Sequence, residues 1–272
     1  MPRASLDGVE LEYELRGEGD PVVLIHWGVC AAWAAPLLDA PVLNERFQLL
    51  AYDRAGFGGS SRLEGPLTMA DHAEHCRRLL GELGIGPAHV VGHSSSALIA
   101  LQLAADAPDV VRTLALLDPA RPAPQTEIQA AFLRDVAGPS IARFREGDVE
   151  GAVDTWMRGV FGPGYRAVLD DALPGAAEQA LAEAGSFFGQ ELPAVQQWDF
   201  TEEHARRIDR PVLIAKGEYS APTFAERRAL LLSWLPRAES FDLPGANHLM
   251  HAQNPGAMAD ALAAFFARQA SW

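Results

Sequence analysis

Residues 88–104 join a short β-branched run to a segment rich in Ala and Leu, through the sequence Gly-His-Ser-Ser-Ser at 92–96. The β-branched run favours a strand, and the segment rich in Ala and Leu favours a helix. The stretch therefore predicts a strand, a sharp turn and a helix. A serine on such a turn is strained and projects its Oγ into solvent, while Gly92 suits a close strand–helix approach. Ser94 is therefore a candidate nucleophile, with the amide of Ser95 facing the group that it attacks. The alternative is an ordinary turn with a capping serine.

Several other apolar runs predict further strands of the same sheet. They occupy residues 21–25, 47–52, 110–117, 210–216 and 239–243. Continuous apolar runs of this length are typical of strands buried on both faces of a parallel sheet. Residues 6–16 instead alternate apolar and polar side chains after an Asp-Gly pair, which predicts a hairpin. Because helical patterns separate the buried runs, we predict an α/β fold with a mainly parallel, doubly wound sheet.

The pattern changes between residues 121 and 208, where strand signals vanish and helical segments follow one another between Pro and Gly breaks. We predict that residues 121–208 form a helical cap over the strand tips. Residues 1–120 and 209–272 would then form the core domain. The large apolar side chains of the cap are expected to build its own core and part of a ligand pocket.

Charge and composition limit the partners of the chain. Its 272 residues carry a net charge of −14 and are 49% hydrophobic. The negative charge disfavours binding to nucleic acid or to an anionic membrane, and no apolar run approaches the ~20 residues that span a bilayer. We therefore expect a cytoplasmic protein, monomeric or homodimeric, with a small-molecule substrate. Cys30 and Cys76 are expected to be free thiols.

Two stretches suggest cofactor sites, and neither is convincing. The glycines at residues 56–59 lack both the dinucleotide-binding spacing and the Lys of a P-loop. His72, His75 and Cys76 have helical spacing that would suit a metal, but a solvated helix face with Cys76 turned inward explains them equally. We expect no cofactor and no metal.

Three strand tips carry residues that suit nucleophilic catalysis. Ser94 follows one buried strand, Asp118 ends the next strand and His248 follows the last. In a parallel sheet these ends share one edge, where ligands bind. Acyl transfer needs a hydroxyl, a base and a carboxylate that orients the base. Asp118 could instead open a turn with Pro119, and His248 is one of eight histidines.

The chain resembles the α/β-hydrolase superfamily, in its esterase and lactonase branch with a helical cap, from about Leu6 to Phe266. The motifs are His-Trp-Gly at 26–28, Asp-Arg-x-Gly-x-Gly-x-Ser at 53–60, Gly-His-Ser-Ser-Ser at 92–96 and Pro-Gly-Ala-Asn-His at 244–248. The order of nucleophile, acid and histidine is also that of this superfamily. The resemblance implies that the amides of Gly28 and Ser95 form the oxyanion hole.

The resemblance also bears on the acid. Most members carry Asp at the end of a Gly-x-x-Asp loop, whereas this chain has Gly-Glu-Tyr-Ser at 217–220. Asp118 holds the alternative acid position of zearalenone-lactonase-like hydrolases, haloalkane dehalogenases and cofactor-independent quinolone dioxygenases. We assign the acid to Asp118, with Glu218 as the alternative.

The expected activity is hydrolysis of a carboxylic ester or lactone through an acyl-enzyme. The apolar cap, without an evident cationic anchor, predicts a small, largely hydrophobic and uncharged substrate. The residues expected to line its pocket are Trp27, Trp156, Phe187 and Trp198. The alternatives are a cofactor-independent dioxygenase, in which the His and Asp pair acts as base, and a non-catalytic ligand-binding member.

Overall fold

The computed structural model describes residues 1–269 and contains one eight-stranded sheet. The strands are β1 (Arg3–Leu6), β2 (Val9–Arg16), β3 (Asp20–Ile25), β4 (Phe47–Tyr52), β5 (Ala88–His93), β6 (Val111–Leu117), β7 (Val212–Gly217) and β8 (Glu239–Leu243). Their order in the sheet is β1-β2-β4-β3-β5-β6-β7-β8. The pairs β1–β2 and β2–β4 are antiparallel, and the others are parallel. The predicted fold class is confirmed.

Helices follow the strands and cover the sheet. Those before β6 are α1 (Ala35–Leu38), α2 (Pro41–Asn44), α3 (Met69–Glu82) and α4 (Ser96–Asp106). Between β6 and β7 lie α5 (Glu127–Phe132), α6 (Gly138–Arg145), α7 (Val149–Phe161), α8 (Tyr165–Ala172), α9 (Ala176–Ala182), α10 (Ala184–Ser186), α11 (Leu192–Gln197) and α12 (Glu202–Ala205). The last are α13 (Pro222–Trp234), α14 (Met250–Gln253) and α15 (Pro255–Arg268). Short 3₁₀ turns at Ala31–Ala34 and Pro108–Val110 and π turns at Leu133–Ala137 and Phe187–Glu191 complete the helical structure of the described residues.

The buried strands explain why their sequences do not alternate. Along β3, Val22 and Leu24 belong to one core cluster, together with Phe266 of α15. Val23 and Ile25 belong to a second cluster on the other face, with side chains of α3 and α4. Each such side chain contributes about 1.5–3 kcal/mol when it is fully buried. Two apolar faces per strand therefore hold the strand tips at fixed positions along one edge.

The helices between β6 and β7, residues 127–205, are called the helical segment below. Two of its glutamates contact the loop that follows β4. Glu183 accepts hydrogen bonds from the amides of Gly58 (2.7 Å) and Ala31 (3.2 Å). Glu191 forms an ion pair of 2.5 Å with Arg54, and both side chains are almost fully buried. These contacts attach the helical segment to the loops at the carboxyl edge of the sheet. That this segment is a separate cap domain stays a prediction.

Glu191→Gln is expected to lower the free energy of unfolding by about 3–5 kcal/mol, because it leaves the charge of Arg54 buried without a counter-charge. Urea denaturation measures the loss. The matched control is Glu202→Gln, which breaks an exposed pair with Arg206 and should cost less than about 1 kcal/mol. Equal effects of the two substitutions would contradict a buried, charge-dependent attachment.

No helix in residues 1–269 combines the length and the apolar character that crossing a membrane requires.

Candidate active site

Ser94 lies on the turn between β5 and α4 in a left-handed conformation, with φ of 55°. Its amide donates to the carbonyl of Leu117 at 2.9 Å, which ties the turn to the tip of β6. The strand and the helix approach so closely that a Cβ on Gly92 would lie 2.5 Å from the carbonyl oxygen of Ser96. Only glycine fits there, so Gly92 permits the close strand–helix approach at the strained turn that carries Ser94.

Asp118 and His248 form a buried pair beside this turn. The Nδ1 atom of His248 lies 3.1 Å from Oδ2 of Asp118, and both side chains are almost fully buried. Asp118 also has a left-handed backbone, with φ of 40°, and its amide donates to the carbonyl of Ala215 in β7 at 2.8 Å. The hydroxyl of Ser220 donates a second hydrogen bond to the same Oδ2. The carboxylate is therefore held between the tips of β6 and β7 and faces the imidazole.

Aromatic rings enclose the imidazole of His248. It stacks on Phe224 and Phe161, with ring centroids 4.1 and 5.5 Å away, and its centroid lies 4.4 Å from that of His93. Burial lowers the pKa of His248 below its ordinary value, an effect that the Asp118 carboxylate partly offsets. His248 is thus neutral near pH 7 and able to accept a proton.

The loop after β3 meets the start of α4 next to Ser94. Gly28 has φ of 60°, in the left-handed region. Its amide donates to the hydroxyl of Ser95 at 3.3 Å. Gly28, Ser94 and Ser95 all line the same cavity. An oxygen bound there would find backbone amides and the N-terminus of α4 close by.

This cavity has a volume of about 490 Å³, and His248 also lines it. Trp27, Trp156 and Phe187, which the sequence predicts to contact substrate, contribute to its wall. The structure records no hydrogen bond between Ser94 and His248 among residues 1–269. Catalytic hydrogen bonds often tighten only when substrate binds. The cavity nevertheless gives one ligand access to both side chains.

Trp198 does not line the cavity, which corrects the expectation from sequence. Its indole N–H donates to the side chain of Gln102 at 2.9 Å, and its ring stacks on Phe200 with centroids 4.7 Å apart. Trp198 thereby packs in the core cluster on the face of the sheet that carries α4. The aromatic character of Trp198 did not reveal whether its side chain faces the cavity or packs into the core.

Glu218, the alternative acid, points elsewhere. Its exposed carboxylate accepts a hydrogen bond from the amide of Gly245 at 2.8 Å. This hydrogen bond fixes the turn that follows β8, and Glu218 forms no hydrogen bond with His248 within residues 1–269. Sequence reasoning missed that Ser220, in the position of the usual acid, donates a hydrogen bond to the carboxylate of Asp118. The serine at position 220, where most members of the family carry Asp, was the sequence signal that could have indicated this contact.

His93, Asp118 and His248 bring possible metal-ligand atoms within 4.8 Å of one another. Oδ2 of Asp118 binds Ser220 and His248, whereas Oδ1 of Asp118 and both ring nitrogens of His93 have no hydrogen-bond partner within residues 1–269. These hydrogen bonds suffice to explain why the carboxylate is held there. The helical group of His72, His75 and Cys76 does not form such a cluster within residues 1–269.

Comparison with known proteins identifies the family. A model of the alpha/beta hydrolase family matches residues 22–261, most of the chain. The chain belongs to the α/β-hydrolase family. The assignment made from its motifs is thereby confirmed, and the strained serine after β5 is the feature that the motif at 92–96 predicted.

Individual α/β-hydrolases show how far the likeness extends. The chain is 28% identical to a 2-(acetamidomethylene)succinate hydrolase of Mesorhizobium japonicum, over 93% of this chain and 90% of that protein. It is 36% identical to a putative carbamate hydrolase, RutD, of Azorhizobium caulinodans, over 43% of this chain and 44% of that protein. It thus spans less than half the length of RutD. A thermophilic esterase from Thermogutta terrifontis superposes with a TM-score of 0.81 at 19% identity, covering 99% of both chains, which shows a common fold.

Proposed function

We propose that the chain is a serine hydrolase that cleaves a carboxylic ester or lactone through an acyl-enzyme. One observation carries this proposal: the strained Ser94 opens onto the same cavity as His248, which is buried against Asp118. A nucleophile, a base and an orienting carboxylate are what acyl transfer requires. The family supports hydrolysis, and the name of one relative, a succinate-derivative hydrolase, is consistent with hydrolysis.

In the acylation step, Ser94 Oγ attacks the substrate carbonyl while Nε2 of His248 takes the hydroxyl proton. Asp118 holds Nδ1–H, which fixes the tautomer and stabilises the imidazolium that forms. The amides of Gly28 and Ser95 stabilise the negative charge on the carbonyl oxygen. His248 then gives its proton to the leaving alkoxide, and the ester bond breaks.

In the deacylation step, a water molecule replaces the alcohol. His248 removes a proton from the water, the hydroxide attacks the acyl carbon, and the second tetrahedral intermediate collapses. The proton returns to Ser94, and the carboxylic acid leaves. A lactone would follow the same two steps and yield one hydroxy acid.

The substrate would be small and would occupy the 490 Å³ cavity. Trp27, Trp156 and Phe187 would contact its apolar part. The helical segment would act as the cap that excludes water from the reacting groups.

Intact-mass spectrometry after exposure to a fluorophosphonate tests the proposal. We expect one adduct per chain, which peptide mapping places on Ser94, because only a serine activated by a base beside oxyanion donors reacts readily. The Ser94→Ala protein and the urea-unfolded protein are the controls and should remain unlabelled. If folded protein stays unlabelled, the serine hydrolase proposal is wrong. Oxygen consumption with 3-hydroxyquinolone-type substrates would then examine the dioxygenase alternative.

A further inference from the structure

Two arginines line the cavity beside the proposed catalytic residues, in a chain whose net charge is −14. Arg121 lies on the loop after β6, and Arg227 lies on α13. Ala120, next to Arg121, donates its amide to the carbonyl of Ser94 at 3.0 Å, so this loop runs beside the nucleophile. The mechanism proposed above uses neither guanidinium. Their presence in a cavity whose surface is mostly apolar therefore needs its own explanation.

Arg227 is a buried cation without a carboxylate partner. Its side chain is 6% exposed, and its Nε and Nη2 atoms donate to the amide oxygen of Gln129 at 3.1 and 3.0 Å. The guanidinium lies over the rings of Phe132 and Phe224, at 5.2 and 5.1 Å from their centroids. Within residues 1–269 it forms no ion pair. Neutral partners thus orient this charge without neutralising it.

Arg121 adds a second positive charge nearby. Its half-buried guanidinium forms no hydrogen bond and no ion pair with any of residues 1–269. Burial, together with the charge of Arg121, lowers the pKa of Arg227 to about 10, which still leaves Arg227 charged at neutral pH. Two like charges that share a cavity repel each other, so an anion between them would be stabilised.

The acidic residues near this part of the cavity are engaged elsewhere. Glu127 also lines the cavity, but it is exposed and pairs with Arg134 at 3.1 Å. Glu226 accepts hydrogen bonds from Thr126 and Gln129 at 2.6 and 3.1 Å. Asp118 holds Ser220 and His248, as described above. The charges of Asp118 and Glu226 raise the pKa of Arg227, but neither carboxylate forms an ion pair with Arg121 or Arg227 within residues 1–269, so both guanidinium groups can still pair with a ligand.

We propose that Arg121 and Arg227 bind a carboxylate of the substrate, so that the preferred ester or lactone carries an acidic group close to its scissile carbonyl. This inference rests on the proposed hydrolysis at Ser94. Guanidinium groups match carboxylates in shape and charge. The apolar wall formed by Trp156, Phe187 and their neighbours would contact the rest of the molecule. The substrate class is thus an acid-ester or a carboxylated lactone, instead of the uncharged substrate expected from sequence.

Paired methyl esters test the proposal. Monomethyl succinate, glutarate and adipate are each compared with the methyl ester in which a methyl group replaces the free carboxylate, namely methyl butanoate, pentanoate and hexanoate. We expect wild-type protein to prefer the charged member of at least one pair in kcat/KM. Arg121→Gln should lower kcat/KM for that charged ester, mainly through KM, by about 10- to 100-fold more than for its neutral partner.

Two further variants keep the test sharp. Arg227→Lys retains a charge in the buried position and should lose less of the preference than Arg227→Gln. The Arg121 side chain makes no hydrogen bonds within residues 1–269, so Arg121→Gln is expected to fold. If Arg227→Gln does not fold, Arg121→Gln alone therefore tests the carboxylate site. The matched control is Arg143→Gln, which removes an exposed arginine paired with Asp148 at 2.7 Å and should leave the preference intact.

Preference for the neutral ester in every pair, or an equal effect of Arg121→Gln on both members, would overturn the inference. The carboxylate site can be tested separately from hydrolysis at Ser94. Binding of monomethyl adipate to the Ser94→Ala protein, measured by calorimetry, reports on the site without requiring any reaction. Binding that requires Arg121 supports the carboxylate site even if no ester is hydrolysed and the fluorophosphonate leaves Ser94 unlabelled. If the protein hydrolyses neutral esters and binds no carboxylate, the proposed hydrolase function is kept and the proposed carboxylate site is rejected.

Discussion

Ser94→Ala is expected to lower kcat for ester or lactone hydrolysis by about 10⁴- to 10⁶-fold, because the acyl-enzyme cannot form. What remains, about 10³- to 10⁴-fold over the reaction in water, would come from substrate binding and the oxyanion donors. The strained turn is fixed by the close contact at Gly92 and not by the Ser94 side chain, so the variant should fold normally. Steady-state kinetics and thermal unfolding measured on the same preparation check both statements.

Ser233→Ala is the matched control for this experiment. Ser233 is exposed on α13, where its hydroxyl donates to the carbonyl of Leu230 at 2.7 Å. Its removal should leave kcat unchanged. Turnover by the Ser94→Ala protein within about tenfold of wild type would contradict covalent catalysis at Ser94, since mutation of such a nucleophile costs far more.

Asp118→Asn is expected to lower kcat by about 10⁴-fold, because an amide facing Nδ1 favours the wrong tautomer of His248 and does not stabilise the imidazolium. The hydrogen bond and charge of Asp118 raise the pKa of His248 against the effect of burial. Activity needs neutral His248 and falls as pH drops through this pKa. The residual activity of Asp118→Asn should therefore decline at lower pH than that of wild type. A purely structural defect would lower activity without this displacement of the pH profile.

Glu218→Gln and a double variant complete the comparison. Glu218 accepts from the amide of Gly245 on the surface, so Glu218→Gln should retain nearly full kcat. Ser220 reaches the oxygen of Asp118 that faces His248. A carboxylate at position 220 would thus lie near Nδ1, and Asp118→Asn combined with Ser220→Asp should recover part of the lost activity. A larger loss in Glu218→Gln than in Asp118→Asn would move the acid to Glu218.

The fold was largely predictable because its signals are local. Each buried strand is a continuous apolar run that supplies side chains to two cores, as Val22 and Val23 do. Ser94, Asp118 and His248 were predicted to lie at strand tips, and the structure places them at one edge. Their catalytic roles remain predictions. The choice between Asp118 and Glu218 could not be made by spacing, since both follow strands; it depends on where each carboxylate points.

Other features depend on contacts between residues far apart in the chain. Trp198 and Trp156 have the same composition signal, yet they pack against different core clusters, and only Trp156 lines the cavity. Arg121 and Arg227 are separated by the whole helical segment, so no local pattern brings them together. The sequence therefore predicted an apolar site and missed its charge.

The buried glutamates of the helical segment have a consequence for engineering. Exchange of caps between hydrolases is a route to new specificity, and the natural cut sites here would lie near residues 120 and 209. Glu183, however, binds the amides of Gly58 and Ala31, and Glu191 binds Arg54. If a foreign cap replaced the helical segment of this chain, these three partners would stay behind without their glutamates. A foreign cap without an acid at the position of Glu191 would leave the guanidinium of Arg54 buried without a counter-charge. Successful grafts must therefore carry the loops after β3 and β4 along with the helices, as a single transplantable unit.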